Sequence, residues 1–174
     1  MILRIQGTGP RANFVHPLDP APRTAILVPG FRESKTIRVF PNGWCSECER
    51  FAPESVAGTL LHLRDLAKRS IELTHAVIVL SWSLNEVLEG VQRDFLWRSF
   101  GVPVYQQVLR RNNTLRAYEC DAHAGLHLLD SSSSNLETRP CPCGASMPLF
   151  SPVPAMVTSV NRDYRFAQKQ RRRP

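Results

Sequence analysis

The sequence predicts an α/β fold with a mixed, largely parallel sheet, and three consecutive observations carry that expectation. His75–Ala76–Val77–Ile78–Val79–Leu80 is a β-branched run without charge, the composition of a strand covered on both faces. Ser83 and Glu86 have the spacing of a capping box, and Leu84, Leu88, Val91 and Phe95 then recur at helical intervals as far as Gly101, a left-handed stop. Val102–Pro103–Val104–Tyr105–Gln106–Gln107–Val108 reads as the next strand, with Pro103 at its start. Strand, helix and strand at this spacing form a βαβ unit.

With 174 residues, 43% of them hydrophobic and 21% charged, the chain has the size and balance of one globular domain with tails. Residues 1–23 read as an extended arm, 24–150 as a single α/β domain, and 151–174 as a Pro-containing and then basic tail. No run approaches the ~20 apolar residues that span a bilayer, and Met1–Ile2–Leu3–Arg4 lacks the apolar core of a secretory signal. A cytoplasmic location is expected. The net charge is +7, but from Arg162 onward six Lys/Arg face a single Asp, so most of the excess belongs to the tail. That distribution argues against a basic binding face on the body.

Taken in order, the arm is rich in Gly and Pro (Gly7–Thr8–Gly9–Pro10, Pro17, Pro20, Pro22), with a short strand expected over Ile2–Ile5. Thr24–Ala25–Ile26–Leu27–Val28, stopped by Pro29–Gly30, reads as a buried strand. Lys35–Thr36–Ile37–Arg38–Val39–Phe40 alternates and ends at Pro41–Asn42–Gly43, so the two runs are expected to pair as a hairpin with an irregular connection. Pro53 suits a first helical turn, after which Val56, Leu60, Leu63 and Ala67 recur at helical spacing until Lys68–Arg69; His62 sits on that helix at the edge of the core. Asn112–Asn113 is a turn signal, and Thr114–Tyr118 follows as a strand.

That strand leads into Tyr118–Glu119–Cys120–Asp121–Ala122–His123–Ala124–Gly125–Leu126–His127, and Pro140–Cys141–Pro142–Cys143–Gly144 answers it across the polar turn Asp130–Ser131–Ser132–Ser133–Ser134–Asn135. Thiolate and imidazole are the ligands that zinc takes in tetrahedral array, so a zinc-clamped β-hairpin region is expected here. Five cysteines, four of them in close pairs, point to metal or redox sites in a reducing compartment. The second pair, Trp44–Cys45–Ser46–Glu47–Cys48, follows a strand and reads as a zinc knuckle, with a redox pair and two packed core cysteines as the other readings. A redox pair should open a helix, whereas Ser46–Glu47 reads as a charged loop. A four-thiolate site of Cys45, Cys48, Cys141 and Cys143 is therefore the rival to one using Cys120 and an imidazole from His123 or His127.

These residues also carry a resemblance. The helix over 84–99, Phe100–Gly101–Val102–Pro103–Val104–Tyr105, the Glu119–Cys120 to Gly125–Leu126–His127 segment and Cys141–Pro142–Cys143–Gly144 resemble the middle of the phenylacetate–coenzyme A ligase family of adenylate-forming enzymes, over roughly residues 75–150. The resemblance implies zinc held by Cys120, His127, Cys141 and Cys143, with His127 in the position of the family's His. It does not carry the catalytic motifs. There is no Ser/Thr/Gly-rich phosphate loop; Val108–Leu109–Arg110–Arg111 stands where the Thr-Glu motif would be, and Ser81–Trp82–Ser83 where a Gly-Gly-Glu usually follows the central strand. The family's C-terminal domain, with its catalytic Lys, has no counterpart in residues 151–174.

The expected function is a non-catalytic, zinc-stabilised α/β module that binds or assembles with a protein partner, with no catalytic residue of its own. The alternatives are a subunit of a split acyl-coenzyme A ligase and nucleic-acid binding through the tail, where Tyr164 and Phe166 sit among the cations. Arg110 and Arg111 could attract an anionic ligand such as a nucleotide or coenzyme A. Glu119 and Asp121 flank Cys120 where a general base beside catalytic zinc would stand. Three thiolates make zinc a poor Lewis acid, however, so a closed structural site is expected.

Overall fold

The computed structural model describes residues 11–129, 140–145, 147 and 149–150. The strand expected over Ile2–Ile5 and the tail beyond Phe150 lie outside them. Within them the chain runs β1 (Thr24–Ile26), β2 (Ile37–Val39), α1 (Ser46–Phe51), β3 (Ser55–Gly58), α2 (Leu60–Leu66), β4 (Ala76–Ser81), α3 (Gly90–Phe100), β5 (Val104–Leu109), β6 (Leu115–Glu119), β7 (Leu126–Leu128) and β8 (Leu149–Phe150). The strands form one mixed sheet in the order β2-β1-β3-β4-β5-β6-β7-β8. Pairing is parallel from β2 across to β5 and antiparallel from β5 to β8. The fold is α/β, and β4–α3–β5 is its βαβ unit.

All six residues of β4 are buried, which is what a β-branched run needs when both of its faces are covered. Successive side chains on a strand point to opposite faces, and the core divides accordingly. Val77, Val79 and Val104 pack with Leu63 and Leu66 of α2, Leu96 and Phe100 of α3, and Cys48 of α1. Ala76, Ile78, Leu80, Tyr105 and Leu109 face the other way and pack with Ala12, Phe14 and Phe31. The helices therefore lie on one face, while Ala12, Phe14 and Phe31, from irregular chain on either side of β1, cover the opposite one. Phe14 and Phe31 meet edge to face there at 5.6 Å, and Ala12 bridges to Phe31.

Three sequence expectations are corrected. β1 and β2 pair in parallel, not as a hairpin; Phe31, 2% exposed, is drawn onto the second face and carries the connection back to the end where β1 began. Val56 belongs to β3, not to a helix opening at Pro53. Ser55–Val56–Ala57–Gly58 has weak strand propensity, yet it is wholly buried between β1 and β4, so packing overrides propensity. The helix itself begins one residue past Thr59, whose side chain accepts the His62 N–H. Finally, Ser83 opens a turn and not α3. Its Oγ accepts from the Asn85 N–H, and the helix starts at Gly90, where the Gln92 side chain accepts the Glu89 N–H. The later start rotates the buried stripe, so Leu96 and Phe100 face the core while Val91 is 80% exposed. Among the described residues no helix is long and apolar enough to cross a membrane.

Candidate metal centre

β6 and β7 pair with Tyr118 opposite His127 and Glu119 opposite Leu126. Opposed residues share a face, and so do residues two apart on one strand. Tyr118, Cys120 and His127 thus stand on one side of the ribbon, and the Tyr118 and His127 rings stack at 5.2 Å. Ala117, Leu126 and Leu128 stand on the other side and pack with Val108 of β5. The turn between the strands needs Gly125. Its φ is 144°, a conformation that L side chains rarely adopt, and a Cβ there would lie 2.7 Å from the Phe150 carbonyl oxygen.

Segment 140–145 then lays Cys141 and Cys143 against this face. Cys120 Sγ is 3.6 Å from Cys141 Sγ, and His127 Nε2 is 3.3 Å from Cys120 Sγ and 3.5 Å from Cys143 Sγ. All four ligand atoms lie within 4.8 Å of one another, so the cluster could hold a metal ion. Bond lengths of ~2.3 Å to sulfur and ~2.0 Å to nitrogen place tetrahedral ligands roughly 3.5–3.8 Å apart, and the three separations above lie close to that range. His127 is fully buried, its Nδ1 has no hydrogen-bond partner, and its Nε2 meets only sulfur. A cation between Nε2 and the thiolates would be ligated by the Nε2 lone pair, while burial of the partnerless Nδ1 carries a cost that such a cation does not remove.

The protonation tendencies of the ligands differ. Burial lowers the His127 pKa and so favours the neutral ligand form. Burial also pushes Cys120 up to about 11, while the Ala145 N–H, first among several donors, holds Cys143 below its ordinary value. Cys141 is buried and Cys143 exposed, so the cluster touches solvent along one side.

The other sequence candidates lie elsewhere. Cys48 packs in the helical face of the core with Ala25, Val56 and Leu63, and Cys45 adjoins it. Among the described residues the metal-sized cluster joins Cys141 and Cys143 to Cys120 and His127 and leaves out Cys45 and Cys48, so the four-thiolate site of Cys45, Cys48, Cys141 and Cys143 is not formed. His123 Nδ1 turns to Glu119 Oε1 at 3.1 Å and its ring stacks on Tyr105 at 5.4 Å. Glu119 itself is almost fully buried. Arg93 Nη2 donates to both its oxygens at 2.9 Å, and the Gln106 N–H donates to Oε2 at 3.0 Å. Asp121 accepts from the Tyr105 hydroxyl. Both carboxylates flanking Cys120 are thus held by partners across the sheet. Arg110 folds back onto the β5–β6 turn, donating to the Leu115 carbonyl at 2.8 Å, and Arg111 is exposed.

Sequence reading missed a cleft of about 420 Å³ on the helical face, bordered by Thr59, Ser81, Trp82, Glu86, Leu88 and Gln106. It opens at the carboxyl ends of β3 and β4, where open α/β sheets place ligands. The available signal was Gln106, an amide within a strand otherwise suited to burial. Its Oε1 accepts from the Leu88 N–H at 2.9 Å and its Nε2 donates to the Glu86 carbonyl, holding the 82–89 segment as the rim. Compared with models of known protein families, with curated proteins and with solved structures, the chain shows no match.

Proposed function

We infer that the protein is a zinc-stabilised α/β binding module in which the metal is structural. The observation that carries this reading is the donor count. Cys120, His127, Cys141 and Cys143 together fill a tetrahedron, and an ion held by all four keeps no position for water or substrate. Three thiolates with one imidazole favour zinc among common divalent ions and quench its Lewis acidity. Structural zinc contributes ~10–16 kcal/mol to folding in small domains, against ~5–15 kcal/mol for a whole domain's stability. Removing it should therefore unfold at least the β6–β8 region. Metal analysis should find one zinc per chain, and chelation at neutral pH should lower the melting temperature sharply. A chelator-sensitive catalytic activity with unchanged melting would overturn the reading.

The binding half of the proposal rests on the cleft at the ends of β3 and β4, which suits a small molecule with an apolar body and an amide-recognisable group. The same cleft favours a second reading, the acyl-binding part of a split acyl-coenzyme A ligase. Adenylation needs phosphate-binding N–H groups and a carboxylate for Mg²⁺, and the sequence at 108–111 offers two arginines instead. ATP–pyrophosphate exchange with zinc-loaded protein and a panel of aryl and acyl acids separates the two. The module should give no exchange above a control without acid; exchange above it would make the ligase reading the better one.

A further inference from the structure

We propose that Cys45 and Cys48 form a reversible disulfide by exchange with an external disulfide, making this end of the sheet a redox site independent of the metal centre. The loop expected at Ser46–Glu47 is instead the first turn of α1, and Cys45 immediately precedes it. That turn brings Cys45 Sγ to 3.8 Å from Cys48 Sγ. A disulfide needs ~2.0 Å, so forming the bond requires the two sulfurs to close that difference, and Cys45 is the exposed one of the two.

The two sulfurs are unequal. Cys45 is exposed, whereas Cys48 is fully buried and packs in the core that includes Phe40, Trp44 and Phe51. Two core cysteines would both be buried, and a metal site needs further ligands. Among the described residues no third His, Cys, Asp or Glu joins this pair as a metal-sized cluster. The electrostatics run the same way. The Cys48 N–H is the largest influence on Cys45 and lowers its pKa against an opposing desolvation, although neither it nor the Glu47 N–H closes to a full capping hydrogen bond. Burial pushes Cys48 up to about 12. An exposed sulfur with thiolate character attacks and leaves well, and a buried neighbour held as thiol resolves the product.

Cys45 thiolate attacks one sulfur of a disulfide RSSR, forming Cys45–S–SR and releasing RS⁻. Cys48 then loses its proton to the released thiolate or to solvent and attacks Cys45 Sγ, closing the Cys45–Cys48 bond and expelling the second RS⁻. Two protein thiols are oxidised and one disulfide is reduced to two thiols.

The test exploits the sequence. Trypsin, cutting after Arg38 and Arg50, releases Val39–Arg50, which holds these two cysteines and no other. Zinc-loaded full-length protein in glutathione disulfide should yield that peptide two hydrogens lighter, restored by reduced glutathione. Cys48→Ala should instead accumulate glutathione on Cys45, and Cys45→Ser should accumulate none on Cys48. Because Cys48 is a core residue, wild-type alkylation gives a second readout: iodoacetamide should label Cys45 at least tenfold faster than Cys48. A disulfide-bonded peptide in place of glutathione disulfide tells a polypeptide substrate from a small one, since only the preferred oxidant works at low concentration. An unchanged Val39–Arg50 mass with both oxidants, equal alkylation rates, or a zinc ion lost in Cys45→Ser would overturn the proposal.

Discussion

His127 shows how far single residues decide the metal centre. Its imidazole is buried with sulfur as its neighbour, and it reaches that position because Gly125 takes a bend closed to other residues. Gly125→Ala should cost about 1–3 kcal/mol from backbone strain. The clash with the Phe150 carbonyl would also push β8 away and weaken zinc binding, which a competition titration with a chromophoric chelator would detect as a higher dissociation constant. Cys48 sets a pH limit on the fold. Its folded-state pKa is raised from 9.0 to about 12, so its contribution is complete below pH 9 and is lost as pH rises toward 12. Burial likewise raises Tyr105, assisted by its bond to Asp121. Urea titrations from pH 8 to 11 should show stability falling by up to roughly 1 kcal/mol per pH unit from one such group, and Cys48→Ala should flatten that fall. Equal slopes for the two proteins would contradict the assignment.

Among the elements, α3 and β6 are joined by the Arg93–Glu119 pair, whose carboxylate side chain is only 5% exposed. Arg93→Ala would leave that charge with the Gln106 N–H and His123 alone. The expected loss lies toward the lower end of about 3–5 kcal/mol, because the Arg93 side chain is itself 27% exposed. A change within ~0.5 kcal/mol, the range of ordinary surface substitutions, would mean that the pair does not brace the sheet. This contact also shows what the sequence made legible. The runs at 75–80 and 102–108 announced β4 and β5 because β-branched composition reports burial on both faces. Cys120, His127, Cys141 and Cys143 stood out because few other roles bring thiols and imidazole so close in sequence. β3 was hidden, since Ser55–Gly58 is a strand only by virtue of its neighbours. The start of α3 was hidden too, because Ser83 and Glu86 satisfy capping spacing while Gln106, far along the chain, holds Leu88 out of the helix.

Across the whole molecule, the parallel half of the sheet carries the helices, the cleft and the Cys45–Cys48 pair, and the antiparallel half carries the metal cluster. The short strands β7 and β8, of three and two residues, bury little apolar surface and need another source of stability. In the proposed function a closed S₃N zinc site supplies it. Zinc K-edge X-ray absorption on the purified protein decides whether the site is of this kind. The expected spectrum is that of one zinc with three sulfur neighbours at ~2.3 Å and one nitrogen at ~2.0 Å. An oxygen neighbour in place of sulfur or imidazole, the signature of an open position for water, would contradict it, as would a protein that folds fully with no metal bound.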